Sequence, residues 1–427
     1  MATVGHGLAP ARTVLDNGAA LITKQTRKTP IVAINLVMRA GSICDSDATL
    51  GATYLLSRVI DRGTSTRSAS AIAEELDDRG ISLTVMVTRH LFSLVCTCLA
   101  EDFVPVFRLL GEMVMAPSVP VSELETRRGE VVTGLRQDED SPAVRAVETL
   151  MAQLHGPSHP YGRRAKGTFA TIERLERSQL VDLHAARFAP SELCAVVVGD
   201  VETALVADVA QDLLGKWRKP PSAPIAVPPP PRPSERRRIV VPMLNKAQTD
   251  VAYGFSTITR SDPAYYAFWL MNHALGQYAL GGRLGDRIRE RQGMAYYVTS
   301  VFEANVVNGP LMIRAGVSAQ NVDRAIASID DELVLLRRSG LTPKELNESR
   351  QYLIGSMPRA LETNAGIAQF LQTAEFFGLG LDYDVRLPAL LSSVTLDQVH
   401  AMALRYLDPD RASIVVAGPY QELGIEN

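Results

Sequence analysis

Apolar and polar residues alternate along I-S-L-T-V-M-V-T-R-H-L-F-S-L-V-C-T-C-L-A, residues 81 to 100. Ile81, Leu83, Val85 and Val87 share one face of a first strand. Phe92, Leu94, Cys96 and Cys98 share one face of a second, so the stretch predicts a β-hairpin. Ahead of it, a helical pattern starts near Ser68 to Ser70 and stops at Gly80, with a suitable cap at each end. Strand patterns also cover I-V-A-I-N-L-V-M-R-A-G-S (31 to 42) and T-D-V-A-Y-G-F-S (249 to 256), and each leads into a long helical segment. Near the end of each half a turn feeds a short β-branched strand that stops at glycine: A-P-S-E-L-C-A-V-V-V-G-D (189 to 200) and D-P-D-R-A-S-I-V-V-A-G-P (408 to 419). Pro190 and Pro409 are 219 residues apart, and so are Gly199 and Gly418. The economical reading is two tandem copies of one fold. Each copy is expected to be α+β: an antiparallel-rich sheet with helices packed on one side.

Between the copies runs P-P-S-A-P-I-A-V-P-P-P-P-R-P-S-E, residues 220 to 235. Proline this dense donates no ladder or helix hydrogen bonds and favours extended polyproline II. At about 3.1 Å per residue such a segment reaches roughly 50 Å. The expected organisation is therefore an N-terminal repeat over 1–219, a linker over 220–235 and a C-terminal repeat over 236–427. The basic run Arg236 to Arg238 reads as a solvated strand entry.

Composition narrows the function classes. The chain has 427 residues, a net charge of −3 and 46% apolar residues. That balance gives no electrostatic case for nucleic acid or membrane partners. The longest apolar runs are too short to span a bilayer, and no basic-then-apolar leader opens the chain. A soluble protein is expected, cytoplasmic, or periplasmic if a leader has been removed. Four cysteines, Cys44, Cys96, Cys98 and Cys194, make no disulfide scaffold, and Cys96 with Cys98 reads as a pair of small buried hydrophobes. Of the seven histidines only His155 and His159 stand close, in L-H-G-P-S-H-P-Y-G. Their spacing suits a metal only on a helix, which Gly156 and Pro157 forbid. His273 reads as a core or helix-face histidine.

Residues 51 to 64, G-A-T-Y-L-L-S-R-V-I-D-R-G-T, are helical by pattern, with Tyr54, Ser57 and Arg58 on one face. A zinc helix would carry histidines at i and i+4 there, and a glutamate as general base. With those positions in view, the chain resembles the zinc metallopeptidases of the pitrilysin, insulinase and mitochondrial processing peptidase family. Their inverted motif H-x-x-E-H sits within G-x-x-H-x-x-E-H-x-x-x-x-G-T, and Gly51, Tyr54, Ser57, Arg58, Gly63 and Thr64 fall on it without a gap. The match extends to R-S-A-S-A-I-A-E-E-L-D-D-R-G (67 to 80), H-P-Y-G (159 to 162), the V-V-V-G-D-V ending of the first copy and I-R-E-R-Q-G-M-A-Y (288 to 296). The resemblance implies two α+β repeats per chain forming half of a clamshell, with two chains, or one fused pair, closing around a chamber.

The departures carry the functional expectation. Both histidine positions are lost, to Tyr54 and Arg58, and the base is lost, to Ser57. The family's third ligand, a glutamate in the next long helix, falls on Thr133 and Gly134. A guanidinium is permanently cationic and repels Zn²⁺, and a phenol is a poor ligand at neutral pH. No metal or cofactor is expected in this chain. In the second repeat the resemblance equates Arg289 and Tyr296 with an arginine and a tyrosine that face the zinc and grip the substrate backbone and the developing oxyanion; both are suitable donors. Strand alternation sends Tyr296 and Tyr297 to opposite faces. The glycine-rich L-G-Q-Y-A-L-G-G-R-L-G-D (275 to 286) lacks the strand and the G-K-[ST] of a phosphate loop.

The expectation is a zinc-free subunit of a bacterial heterodimeric metallopeptidase. A homologous partner would supply zinc and general base, and peptide would be the substrate. The isolated chain would be inactive. The alternative is a purely structural subunit resembling the core proteins of respiratory complexes.

Overall fold

The computed structural model describes residues 7–277 and 281–421, and it holds two compact units that interleave along the chain. The first unit combines the residues up to Leu135 with Arg164–Ala226 and Met357–Val385. The second combines Arg136–Arg163 with Val227–Ser356 and the residues from Arg386 onward.

The first unit is built on a six-stranded sheet of β1 (Ala11–Val14), β2 (Ala20–Gln25), β3 (Ile31–Met38), β4 (Ser82–Val87), β5 (Phe92–Leu99) and β6 (Leu193–Gly199), in the order β1-β2-β6-β3-β5-β4. Only β2 and β6 pair in parallel. The hairpin of β4 and β5 lies where alternation placed it, and the helix before it, Ala69–Asp78, is capped by the Ser68 side chain. Alternation also sorts β3 between two layers. Val32, Ile34, Leu36 and Met38 join the large core with Phe92, Leu94, Cys96 and Cys98, under the helix Phe103–Met115. Burial pushes the Cys96 and Cys98 thiols up to about 12, so both behave as inert packing groups.

The second unit repeats the plan with five strands: β7 (Arg237–Pro242), β8 (Thr249–Ser256), β9 (Ala295–Phe302), β10 (Pro310–Val317) and β11 (Ser413–Gly418), in the order β7-β11-β8-β10-β9. Here β7 and β11 form the parallel pair. Arg236 and Arg238 at the start of this sheet pair with Asp330 and Asp323, as suits a solvated strand entry. Two mixed sheets with helices are thus the α+β architecture expected from the alternating pattern.

The helix layers are fuller than expected, because the second face of each sheet also carries a helix from the opposite half of the sequence. Pro142–His155, opened by Ser141 and a first-turn proline, lays Ala146, Leu150 and Leu154 on Ala252, Met312, Val415 and Ala417. Burying each of those leucines contributes about 2–3 kcal/mol. Gly254 makes the approach possible, since a Cβ there would stand 2.9 Å from a Leu150 methyl. Reciprocally, Asn364–Phe376 lays Ile367, Ala368 and Leu371 on Ile22, Ala33, Val196 and Val198. The Asn35 side-chain amide on β3 donates to the Gln372 Oε1 at 2.9 Å, tying the helix to the sheet inside that layer.

Candidate functional site

In the first unit the candidate residues sit where the short helix Ala52–Ser57 meets the long helix Val121–Glu139. The short helix starts at Gly51, whose φ of +91° and close approach to the Lys166 carbonyl both require glycine. Tyr54 is half-buried against the large core. Ser57 is buried, and its hydroxyl donates to the Tyr54 carbonyl at 2.6 Å, so it is consumed within its own helix. Arg58 ends the helix half-exposed, with Nη2 3.8 Å from a Glu130 carboxylate oxygen on the long helix.

Glu130 is also ion-paired with Arg127, which holds its carboxyl below the usual range with help from Arg58 and Arg62. Burial raises the Asp61 carboxyl against the opposing pull of Arg62, Arg127 and Arg58. Thr133 turns its hydroxyl back to the Gly129 carbonyl at 2.9 Å, and Gly134 brings no side chain. The junction of the two helices therefore presents three guanidiniums, two carboxylates, a phenol and two hydroxyls already in use. Guanidinium cannot ligate, and the two carboxylates serve as its counter-ions, so these residues do not fit a zinc ion. Among the described residues no group of three or more His, Cys, Asp and Glu side chains could hold a metal ion.

Histidines of the described residues are engaged elsewhere. His159 accepts from the Tyr161 amide at Nδ1, 3.0 Å away, so its Nε2 carries the proton and donates to the Pro228 carbonyl at 2.8 Å. Its ring stacks on His155 at 5.5 Å. Both nitrogens of His159 are in use, which rules it out as a ligand. His184 donates to the Val114 carbonyl at 2.8 Å and His400 to the Arg337 carbonyl at 2.7 Å. His273 meets the Ser349 hydroxyl at 3.0 Å in the core of the second unit. Burial lowers the pKa of His90 and of His184 to about 4.

The second unit presents its candidates outward. Arg289 lies on the π-helical turn Gly285–Arg291, a rare geometry that concentrates at functional sites. It is exposed, and its nearest carboxylate is the neighbouring Glu290, 3.7 Å away. Gly293 then turns the chain at φ +60°, and β9 opens. The glycine-rich stretch before this turn includes residues 278–280, which lie outside the described residues.

Tyr296 is 71% exposed. Ala295 pairs with Val317 and Tyr297 with Gly316, which leaves Tyr296 as the extra residue of a β-bulge on an edge strand. Bulges of this kind re-aim a side chain and cluster beside active sites. Simple alternation therefore does not separate Tyr296 from Tyr297, contrary to the expectation from sequence. Tyr297 is occupied as well, donating its hydroxyl to Asp250. No hydrogen bond joins Arg289 to Tyr296. Sequence reasoning missed the bulge and the Arg58–Glu130 pair. The available signal for the first was Gly316, a glycine inside a strand pattern.

Comparison with known proteins agrees with this architecture along most of the chain. The profile of the insulinase family, peptidase family M16, matches residues 20–158, and the profile described as the peptidase M16 inactive domain matches residues 174–353. An uncharacterized zinc protease of Mycobacterium bovis is 25% identical over 425 residues, 97% of this chain and 94% of that protein. A protein of Helicobacter pylori named a non-peptidase homolog is 24% identical over 393 residues, 91% of this chain and 87% of that one. The crystal structure of a peptidase M16 inactive domain from Pseudomonas fluorescens superposes with a TM-score of 0.89 at 26% identity, covering 97% of this chain and 99% of that one.

Proposed function

Because the chain belongs to the peptidase M16, or insulinase, family, we propose that it is the zinc-free subunit of a two-chain metallopeptidase. A homologous chain with an intact H-x-x-E-H supplies the metal and the general base. This chain supplies half of the chamber, with Arg289 and Tyr296 as donors to the peptide substrate.

The observation that carries the reading is the Arg58–Glu130 contact. Where the family resemblance expects a bound cation between two helices, this chain has a covalently fixed one, 3.8 Å from a carboxylate on the facing helix. A metal brought beside that guanidinium would meet Coulomb repulsion and no lone pair. Tyr296 supports the second half of the reading, because a phenol lifted out of the ladder and left in solvent contributes little to the fold and is available to a substrate. Some relatives are named zinc proteases and one a non-peptidase homolog, so a family member without peptidase activity has a precedent in name.

Two measurements test the reading. Elemental analysis of the purified chain after dialysis against a chelator should find no stoichiometric zinc. Mixing with an intact-motif homologue from the same cell should give a heterodimer by light scattering, and peptidase activity that neither chain shows alone. A mixture of monomers, or a complex whose activity is indifferent to this chain, would instead favour a purely structural subunit.

A further inference from the structure

Three residues of the second unit form one row across its sheet. Asp250 on β8 is the cross-strand partner of Gly316 on β10, and Gly316 is the partner of Tyr297 on β9. The Tyr297 ring lies over Gly316; a Cβ at that position would stand 2.5 Å from the ring's Cε1. With no side chain on Gly316, the space above it takes the Tyr297 ring and the Gln248 amide, and the Tyr297 hydroxyl reaches across the middle strand and donates to Asp250, which is buried. Gln248 approaches the second oxygen of the same carboxylate at 3.4 Å. Arg314, two residues before Gly316 on β10, holds its guanidinium 6.0 Å from the ring. Burial first, and then the Asp250 carboxylate, raises the phenol's pKa, so Tyr297 remains a donor.

The row ends at the bulge. A residue squeezed out of a ladder has lost the hydrogen bonds that would set its direction, so its neighbours must set it. On one side Ala295 is buried and paired with Val317. On the other side is Tyr297. We propose that Gly316, Tyr297 and Asp250 act as a positioning device for Tyr296, pinning the bulge so that its hydroxyl is offered in one direction. The inference rests on the role of Tyr296 given above. Gly316 provides the clearance, Tyr297 the tether and Asp250 the anchor, and none of the three needs to touch substrate.

Nitration of the full-length chain with tetranitromethane, mapped by mass spectrometry, reads the row without any partner or activity. In the unaltered chain Tyr296 should be modified and Tyr297 protected. Asp250→Ala and Gly316→Ala should each raise Tyr297 modification roughly tenfold, the order expected when one hydrogen bond to a charged group is lost. Asp250→Asn keeps an acceptor oxygen and should preserve most of the protection, which separates anchoring from general loosening and stands in if the alanine variants fold poorly. In the complex with an intact-motif homologue, Asp250→Ala should lower kcat and leave KM, and Asp250→Asn should restore kcat. Unchanged Tyr297 protection in both alanine variants would overturn the row. Normal turnover in Asp250→Ala, where Tyr296→Phe is impaired, would overturn its link to Tyr296. Normal turnover in Tyr296→Phe itself removes the catalytic reading, and the nitration pattern then decides the row alone.

Discussion

In the first unit, Ser57 gives its hydroxyl to its own helix and Arg58 faces Glu130 on the next one. In the second unit, Tyr296 stands in solvent outside its ladder and Arg289 meets no carboxylate but its chain neighbour. One set of polar groups is spent on internal contacts; the other is left with donors to give. Groups that satisfy one another leave little to offer a ligand. Exposed donors on a rigid edge cost the fold little and gain value only when something docks. The comparison teaches where to look for function in a chain with two similar repeats: at the polar groups the fold does not use.

The largest effect should come from the second unit. In the complex, Tyr296→Phe should lower kcat and kcat/KM together by 10²- to 10³-fold, about 3–4 kcal/mol, as for other oxyanion donors. Turnover within about twofold would break the comparison at its main point. Tyr297→Phe is no blank control, because its hydroxyl is bonded to Asp250.

A first-unit effect follows from burial of His184, whose pKa is about 4 in the fold against the ordinary value of 6.5. The unfolded chain takes up this proton first as pH falls. The neutral, buried ring therefore contributes fully above about pH 6.5 and loses its contribution progressively toward pH 4, by at most about 3 kcal/mol. Denaturant midpoints at about pH 7 and about pH 4.5 would show the loss, and His184→Gln should flatten it. An equal pH slope in that variant would assign the acid sensitivity to other groups.

Arg289→Ala sharpens the contrast more gently. A guanidinium that holds substrate carbonyls in ground and transition states alike should raise KM about tenfold, roughly 1.4 kcal/mol, with kcat little changed. The smallest effect belongs to Arg58→Ala. Its pair with Glu130 is 3.8 Å long, with both side chains 44% exposed, so stability should change by less than about 0.5 kcal/mol. A drop in melting temperature of many degrees would mean that this pair holds the two helices far more firmly than an exposed contact can.

The β4–β5 hairpin, the Ser68 cap and the α+β class were legible because period-2 alternation, capping chemistry and turn glycines act over a few residues, whereas the parallel pairs β2–β6 and β7–β11 join distant strands and left no local signal. The candidate residues were legible only through a resemblance, since Arg289 and Tyr296 carry no local pattern of their own. Strict alternation failed at Tyr296. A bulge depends on which residue of another strand, here Gly316, comes to lie opposite.

What the sequence determined by itself is local: the strands and capped helix read from alternation and capping, and the chemistry at positions 54, 57 and 58, where no backbone arrangement turns a guanidinium into a zinc ligand. What only the tertiary structure decided is which surfaces meet. The apolar stripe of Pro142–His155 fits any complementary sheet face, and the face it covers belongs to strands of the other half of the sequence, where Gly254 and small side chains leave room. The presentation of Tyr296 likewise depends on Gly316 and Asp250, residues that alignment across three strands brings together. Local periodicity specifies what an element can bury. Long-range packing chooses what it buries against, because many partners share the same apolar character and only shape and spacing separate them.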